Sequence, residues 1–182
     1  NKKDAAYKPY PGGPPPPIEI SGNKGMNRVL WDFRNATISP DVTGAFVYGD
    51  YRGYRISPGS YTARLSYKSS ISETKVDVIK DPNLTADATS WTEQQVLLKR
   101  ISEQISSMHK KVNDLRKIKK QVEGYNLVFK DQTQYKELVT AGSDLIAKMD
   151  KWESEIVESR IKNGQDVINW PSKLNAEFFN LK

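Results

Sequence analysis

The sequence predicts an α+β protein built from two modules. A small antiparallel β-sandwich of the immunoglobulin or fibronectin type is followed by a long antiparallel helical hairpin with a short third helix. Three observations carry this prediction. Nine of the ten prolines and eight of the eleven glycines lie before residue 90. Apolar residues alternate with polar ones in several segments between residues 18 and 80, as in half-buried strands. After residue 90 they recur every three or four residues, as on one face of a helix.

The composition narrows the classes of function. The chain has 182 residues, of which 37% are hydrophobic and 27% charged, so it is polar but not as poor in apolar residues as disordered chains. It has no cysteine, which excludes disulfides and thiol catalysis. A single histidine argues against a zinc site or a Ser-His-Asp triad. No apolar run approaches the ~18 residues of a membrane span. The sequence therefore predicts no metal, no cofactor and no membrane span.

Residues 1–17 are predicted to form an extended tether. The segment ends in four consecutive prolines, which favour a polyproline II path. A tether from a preceding domain is the simpler interpretation, and a ligand for a proline-reading module is the alternative. The first residue is Asn1 and no signal pattern follows it, so export cannot be read from this end.

Residues 18–81 are predicted to form the β module. In residues 28–34, the side chains of Val29, Trp31 and Phe33 share one face of a strand. Residues 60–67 and 74–79 alternate in the same way. We predict a sandwich of three or four strands with Trp31 and Tyr61 in its core.

Sequences typical of turns lie between the predicted strands. Pro58-Gly59 is a turn signal, because proline fixes φ and glycine accepts positive φ. The Ser-rich segment 68–73 is predicted to be the connection of a hairpin.

Residues 82–182 are predicted to be helical. Ser90-Trp91-Thr92-Glu93 is typical of a capping box, and the first helix is predicted to end at Gly124 after about 50 Å. A second helix is predicted to begin at residues 131–134 and to end at 163–164, and a third to begin at Pro171. Because 50 Å is too long to lie across a small sandwich, the first two helices are predicted to pair.

Side chains of the second helix are predicted to face the first. The predicted apolar seam comprises Tyr135, Leu138, Leu145, Met149, Trp152 and Ile156. Gly142 also lies on this seam, which predicts a close approach of the first helix or a large side chain that fills the gap. Lys99 and Arg100 are expected to face Asp150, Glu153 and Glu155, which would set the register.

Basic residues are densest in the second half of the first helix. They scatter around the helix instead of forming one stripe, which argues against nucleic acid as a partner. The segment 110–137 holds eight cations and four anions and is expected at the distal tip of the hairpin. Two interpretations stay open, a solvated surface and a docking site for an acidic partner or an anionic glycan. The candidate residues are Lys110, Lys111, Arg116, Lys117 and Lys120.

Three tyrosines with neighbouring arginines indicate a candidate carbohydrate site. Tyr48, Tyr51 and Tyr54 are three residues apart, and Arg52 lies among them. Exposed tyrosine rings can stack on sugar rings. The alternative is that these side chains cover the end of the sandwich or pack on the hairpin.

No catalytic residue is assigned. A glycosidase needs two carboxylates about 5–10 Å apart, and only Asp32 and Asp50 lie among aromatic residues. A structural role for Asp32 is the simpler interpretation. His109 is predicted to be a surface residue because lysines follow it.

Several motifs together carry a family resemblance. Residues 25–34 read GMNRVLWDFR, residues 57–65 read SPGSYTARL, and residues 80–82 read KDP. The combination resembles the C-terminal region of large bacterial BNR-repeat or sortilin-like β-propeller proteins, often labelled glycosyl hydrolases. Residues 166–175, DVINWPSKLN, resemble the segment that opens the last helix of that family.

The resemblance implies that the chain belongs to an exported protein, secreted or held in the bacterial cell envelope. It implies a propeller upstream in the same polypeptide, which would hold any glycosidase-like activity. The chain itself is then expected to be a non-catalytic accessory module that mediates interaction. The alternatives are a carbohydrate-binding module that uses the loop tyrosines and an independent hydrolase.

Overall fold

The computed structural model describes residues 20–36, 38, 41–47 and 49–182. The predicted tether, residues 1–17, lies outside these described residues. The elements in chain order are β1 (Gly59–Tyr67), β2 (Ser70–Val78), α1 (Ala88–Phe129), α2 (Lys136–Ile156) and α3 (Leu174–Asn180). Short 3-10 turns occupy Thr133–Tyr135 and Asp166–Ile168.

The predicted sandwich is wrong. Within the described part of the chain, the sheet consists of β1 and β2 alone, an antiparallel ribbon in which Gly59 lies opposite Val78 and Tyr67 opposite Ser70. A sandwich requires a second sheet packed face to face on the first. The protein is instead mostly helical.

The predicted strand at 28–34 does not form. Phe33 has φ +58°, a left-handed conformation that interrupts an extended chain. Beyond it, Arg34 makes an isolated antiparallel bridge to Arg55. Trp31 lies against Tyr61, with ring centroids 6.1 Å apart, but Trp31 is exposed. The prediction that these two residues form a buried core is therefore wrong, and they make a surface contact.

The predicted hairpin is confirmed, with a shorter connection. Only Lys68 and Ser69 join the strands, and residues 70–73, predicted as loop, begin β2. Lys68 adopts φ +52°, as two-residue hairpin loops require positive φ.

Helix α1 begins earlier and ends later than predicted. The carboxylate of Asp87 caps it by accepting the Ser90 amide at 2.7 Å, so the capping box predicted at Ser90 is wrong. The helix also continues through Gly124 to Phe129. A glycine inside a helix costs about 1 kcal/mol. Contacts with α2 on both sides of Gly124, from Lys119 to Asp150 and from Asn126 to Ser143, hold the helix together across it. At 1.5 Å per residue, the 42 residues span about 63 Å.

Helix α2 is shorter than predicted. It begins at Lys136 and ends at Ile156, before the predicted end at 163–164, and α3 begins at Leu174 instead of Pro171. The antiparallel pairing of α1 and α2 is confirmed, because Lys119 contacts Asp150 and Asn126 contacts Ser143. With 21 residues, α2 spans about 32 Å and covers only the C-terminal half of α1.

A loop segment and α3 pack against the middle of α1, around its buried residues Ile101 to Val112. Buried residues of the segment 38–51 pack with buried residues of α1 and of the C-terminal region. The main contributors are Ile38, Val42, Val47, Tyr51, Ile101, Ile105, Val112, Val157 and Phe179. This core therefore draws on residues from both sides of the predicted boundary at residue 81.

His109 lies in this core and is fully buried, so its predicted place on the surface is wrong. It lies four residues after Ile105 and three before Val112, which puts all three on one face of α1. Its ring centroid is 6.0 Å from that of Tyr51 and 5.9 Å from that of Phe179.

Candidate interaction surfaces

The structure does not bring the predicted sugar-binding residues together on the surface. Tyr48 lies outside the described residues. Tyr51 is only 1% exposed, and its hydroxyl donates a hydrogen bond to Asp41 Oδ1 at 2.8 Å. Its ring centroid is 4.8 Å from that of Phe179. A buried ring cannot stack on a sugar, so this role for Tyr51 is wrong. Tyr54 is half-buried, and burial raises its pKa.

The carboxylate of Asp50 is held by Arg52. The guanidinium donates through Nε at 2.9 Å and through an Nη at 2.8 Å, and these bonds lower the pKa of Asp50 to about 2. A general acid needs a raised pKa instead. Asp32 is exposed and accepts the amide of Arg34 at 3.1 Å. Each of the two carboxylates thus has a local partner on its own segment.

The basic residues do not lie at the tip of the hairpin. That tip is the turn after Phe129, whereas Lys110 and Lys111 lie near the middle of α1, about 28 Å away along the helix. The continuation of α1 past Gly124 to Phe129 places these residues about 8 Å farther from the turn than predicted. Lys110, Lys111, Lys117 and Lys120 are exposed, and Lys117 contacts Asp114 at 3.2 Å.

Arg116 has a structural role. Its guanidinium pairs with Glu153 at 2.5 Å and also donates to the carbonyl of Thr43, so it links α1, α2 and the loop segment. Lys119 pairs with Asp150, and this contact raises the pKa of Lys119. The predicted register, with Lys99 and Arg100 facing these carboxylates, is wrong, because α1 continues to Phe129 before the turn, which places Asp150 and Glu153 beside Lys119 and Arg116 instead.

The β ribbon has two different faces. Tyr61, Ala63, Leu65 and Tyr67 alternate along β1 onto one face. On the same face β2 places Val76 opposite Tyr61, and it places Thr74, Ser72 and Ser70 opposite the other three. The other face is mostly polar, with Ile71 as its apolar exception, and carries the cross-strand contacts of Ser60 with Asp77 and of Arg64 with Glu73. We call the apolar side, comprising Tyr61, Leu65, Tyr67 and Val76, the ribbon face.

The ribbon face is covered at its base and open at its far end. At the base, the Tyr61 hydroxyl donates to the carbonyl of Ser57 at 2.6 Å, and its ring contacts Trp31. At the far end, Leu65 and Tyr67 are each 59% exposed. The apolar surface continues past the base to Phe33, whose ring centroid is 5.2 Å from that of Trp31.

The interior of the hairpin is partly polar. Residues of α2 that face α1 repeat with heptad spacing and are at least half-buried: Val139, Gly142, Ile146, Met149, Glu153 and Ile156. Asn126 of α1 fills the space beside Gly142, since a Cβ on that glycine would overlap the Asn126 amide. The prediction that a side chain fills the gap at Gly142 is thus confirmed.

A second apolar stripe runs along one side of this interior. The predicted seam residues Leu138, Leu145 and Trp152 are exposed, each one position before a residue that faces α1, so their predicted burial is wrong. On α1, Ile118 and Tyr125 likewise precede the inward-facing Lys119 and Asn126.

In an antiparallel pair, positions that precede the interior on both helices lie on the same side. We call this side the hairpin face, and its residues are Ile118, Tyr125, Leu138, Leu145 and Trp152. Positions that follow the interior lie on the opposite side, which carries Glu123, Ser143 and Asp150 and one large exposed apolar side chain, Leu127.

Comparisons with known proteins do not place the chain in a family. No protein-family model, curated protein or solved structure matches it. The resemblance to BNR-repeat and sortilin-like proteins therefore stays a prediction. In the part of the chain that the structure describes, no helix is long and apolar enough to cross a membrane. Across the same residues, no group of His, Asp and Glu side chains is arranged to hold a metal ion.

Proposed function

We propose that this chain is a non-catalytic interaction module of a larger exported protein of the BNR-repeat or sortilin-like β-propeller kind, and that its ribbon face packs against the propeller of the same polypeptide. The observation that carries the proposal is the exposed apolar stripe that β1 presents on one face of the ribbon.

A two-stranded ribbon is marginally stable by itself in water. A strand with one apolar face gains most of its stability when that face is covered by another layer. Here the helices cover a different part of the chain, and Leu65 and Tyr67 remain exposed. A flat surface of another domain would supply the missing layer.

The apolar surface around the ribbon is larger than the ribbon itself. Trp31 and Phe33 extend it at the base, and Leu30 is 74% exposed beside them. These residues belong to the segment 25–34, which carries the family resemblance. The same surface would thus explain why a motif rich in apolar side chains lies outside the core.

The test compares the full-length product of the gene with this chain alone. Leu65→Asp combined with Tyr67→Asp places two charges on the ribbon face. Burial of such side chains contributes about 1.5–3 kcal/mol each, and 1 kcal/mol shifts Tm by about 2–4 °C in a domain of this size. We expect the double variant to lower Tm by roughly 6 °C or more in the full-length product and by much less in this chain.

Thr62→Asp combined with Ser66→Asp is the matched control, because these residues lie on the polar face of the same strand. It should change Tm equally in both proteins. A gene that encodes no propeller, or an equal effect of the Leu65 and Tyr67 variant in both proteins, would overturn the proposal.

A further inference from the structure

We infer that a second copy of this chain covers the hairpin face, so that two hairpins pack face to face as a four-helix bundle. This dimer uses a different surface from the ribbon face, and its test is independent of the proposed function. The inference starts from the exposure of the five residues on that face. Tyr125 is 65% exposed and Leu138 is 54% exposed, although both occur at heptad spacing beside the interior of the hairpin.

The stripe has the pattern of a bundle core. Helices of four-helix bundles carry apolar residues at the two core positions of the heptad and at one neighbouring position. Both helices of this hairpin carry the neighbouring stripe on the same side, whereas the opposite side has Glu123, Ser143 and Asp150 and a single large apolar residue, Leu127, on α1. The hairpin face is therefore the side on which both helices contribute apolar residues.

The apolar area of the face approaches the lower end of what a dimer needs. A large apolar side chain has about 150–250 Å² of surface, so the exposed fractions of the five residues leave roughly 500 Å² uncovered. Two such faces together contribute roughly 1,000 Å², and polar residues at their rims would bring the total into the range of about 1,200–2,000 Å² of stable interfaces.

The width of the face favours a partner with two helices. Near the tip, the exposed Val128 lies at the outer edge of the face on α1, and the exposed Ala141 lies at the outer edge on α2. A single helix would lie in the groove between α1 and α2 and would leave these outer positions in water. A second hairpin covers both edges, and a twofold axis lets the same surface serve on each copy.

Polar residues in the interior of the hairpin are a second reason to expect a dimer. Lys119 and Asn126 of α1, and Gly142 and Glu153 of α2, occupy positions that are apolar in a self-sufficient pair of helices. Polar residues at such positions set the register at a cost in stability. Burial of the hairpin face in a dimer would offset that cost.

Sedimentation velocity of the intact chain between about 1 and 100 µM tests the inference. We expect a species of about 41 kDa, twice the 20.7 kDa of one chain. Leu138→Asp should restore a monomer throughout this range. Leu127→Asp is the matched control, because Leu127 is an equally large, 66% exposed side chain of α1 outside the hairpin face. The control should remain a dimer.

Circular dichroism checks that each variant is folded, and Tyr125→Asp replaces Leu138→Asp if that variant does not fold. A wild-type chain that is monomeric at 100 µM would overturn the inference, and so would equal effects of the two leucine variants. A monomer in this experiment would leave the test on the ribbon face unaffected.

Discussion

The side chain of Asn126 on α1 occupies the space beside Gly142 on α2, and it also donates to the Ser143 hydroxyl at 3.3 Å. The contact fixes how closely and in which register the two helices lie. It explains why a glycine persists inside a helix, where it costs about 1 kcal/mol relative to alanine.

This relationship predicts a coupling between the two positions. Gly142→Ala should destabilise the protein, because the new methyl group displaces the Asn126 amide. In an Asn126→Ala background the same change should stabilise it by about 1 kcal/mol, since only the gain in helix propensity remains. Urea denaturation of the four proteins in the cycle measures this. Equal effects of Gly142→Ala in both backgrounds would show that the contact does not constrain the helices.

The ion pair of Arg116 and Glu153 is expected to matter more than the exposed pairs. Its side chains are 24% and 13% exposed, and Arg116 also holds the carbonyl of Thr43. Arg116→Ala should lower the free energy of unfolding by about 2–4 kcal/mol, because it leaves a partly buried carboxylate without its partner.

Lys117→Ala is the control for that variant. Lys117 pairs with Asp114 on the surface, where such contacts contribute about 0–1 kcal/mol. Guanidinium denaturation should therefore show a difference of more than 1 kcal/mol between the two variants. Similar losses would mean that the contact between α1, α2 and the loop adds little to stability.

Phe179 is expected to be the main contact between α3 and the core. Its ring lies against Tyr51 and His109, and Gly49 leaves room for it, since a Cβ there would overlap the ring. Phe179→Ala should cost about 3–5 kcal/mol of stability. Phe33→Ala, at an exposed site, should cost much less in the same thermal denaturation. Comparable losses would contradict the assignment of the core.

Stability should fall in acid because of Glu158. Arg160 donates two hydrogen bonds to the Glu158 carboxylate and lowers its pKa from 4.5 to about 2. The folded protein then binds fewer protons than the unfolded chain between these values, so this contribution is complete above about pH 4.5 and is lost as the pH falls towards 2.

Glu158→Gln should accordingly flatten the dependence of Tm on pH between about 4.5 and 2. The exposed Glu155→Gln provides the control and should leave that dependence close to wild type. An unchanged slope in the Glu158 variant would show that the pair with Arg160 does not contribute in this range.

Local sequence patterns predict strands and helices better than they predict which of these elements pack together. The alternation from Ser60 to Tyr67 correctly indicated a strand and a hairpin, but alternation shows only that one face is apolar and not what covers it. The strand predicted around Trp31 failed because Phe33 adopts a left-handed conformation, which the sequence does not mark with a glycine.

The three- and four-residue spacing on the helices identifies some of the buried positions. His109 could have been placed in the core, because it continues the run from Ile105 to Val112 on one face of α1. The predicted seam of α2 is one position too early at Leu138, Leu145 and Trp152, because these large apolar side chains lie beside an interior stripe that includes Gly142 and Glu153. The contacts of Gly142 with Asn126 and of Glu153 with Arg116 distinguish the interior stripe from the exposed one.

Hydrogen–deuterium exchange of the ribbon tests the central claim most directly. Amides of residues 60–67 should exchange at least about tenfold more slowly in the full-length product of the gene than in this chain alone, because a tenfold protection corresponds to about 1.4 kcal/mol of added stability. Amides of the core helix around Ile105 provide the internal reference and should differ little. Equal exchange of residues 60–67 in the two proteins would contradict the claim that the ribbon face packs against another domain.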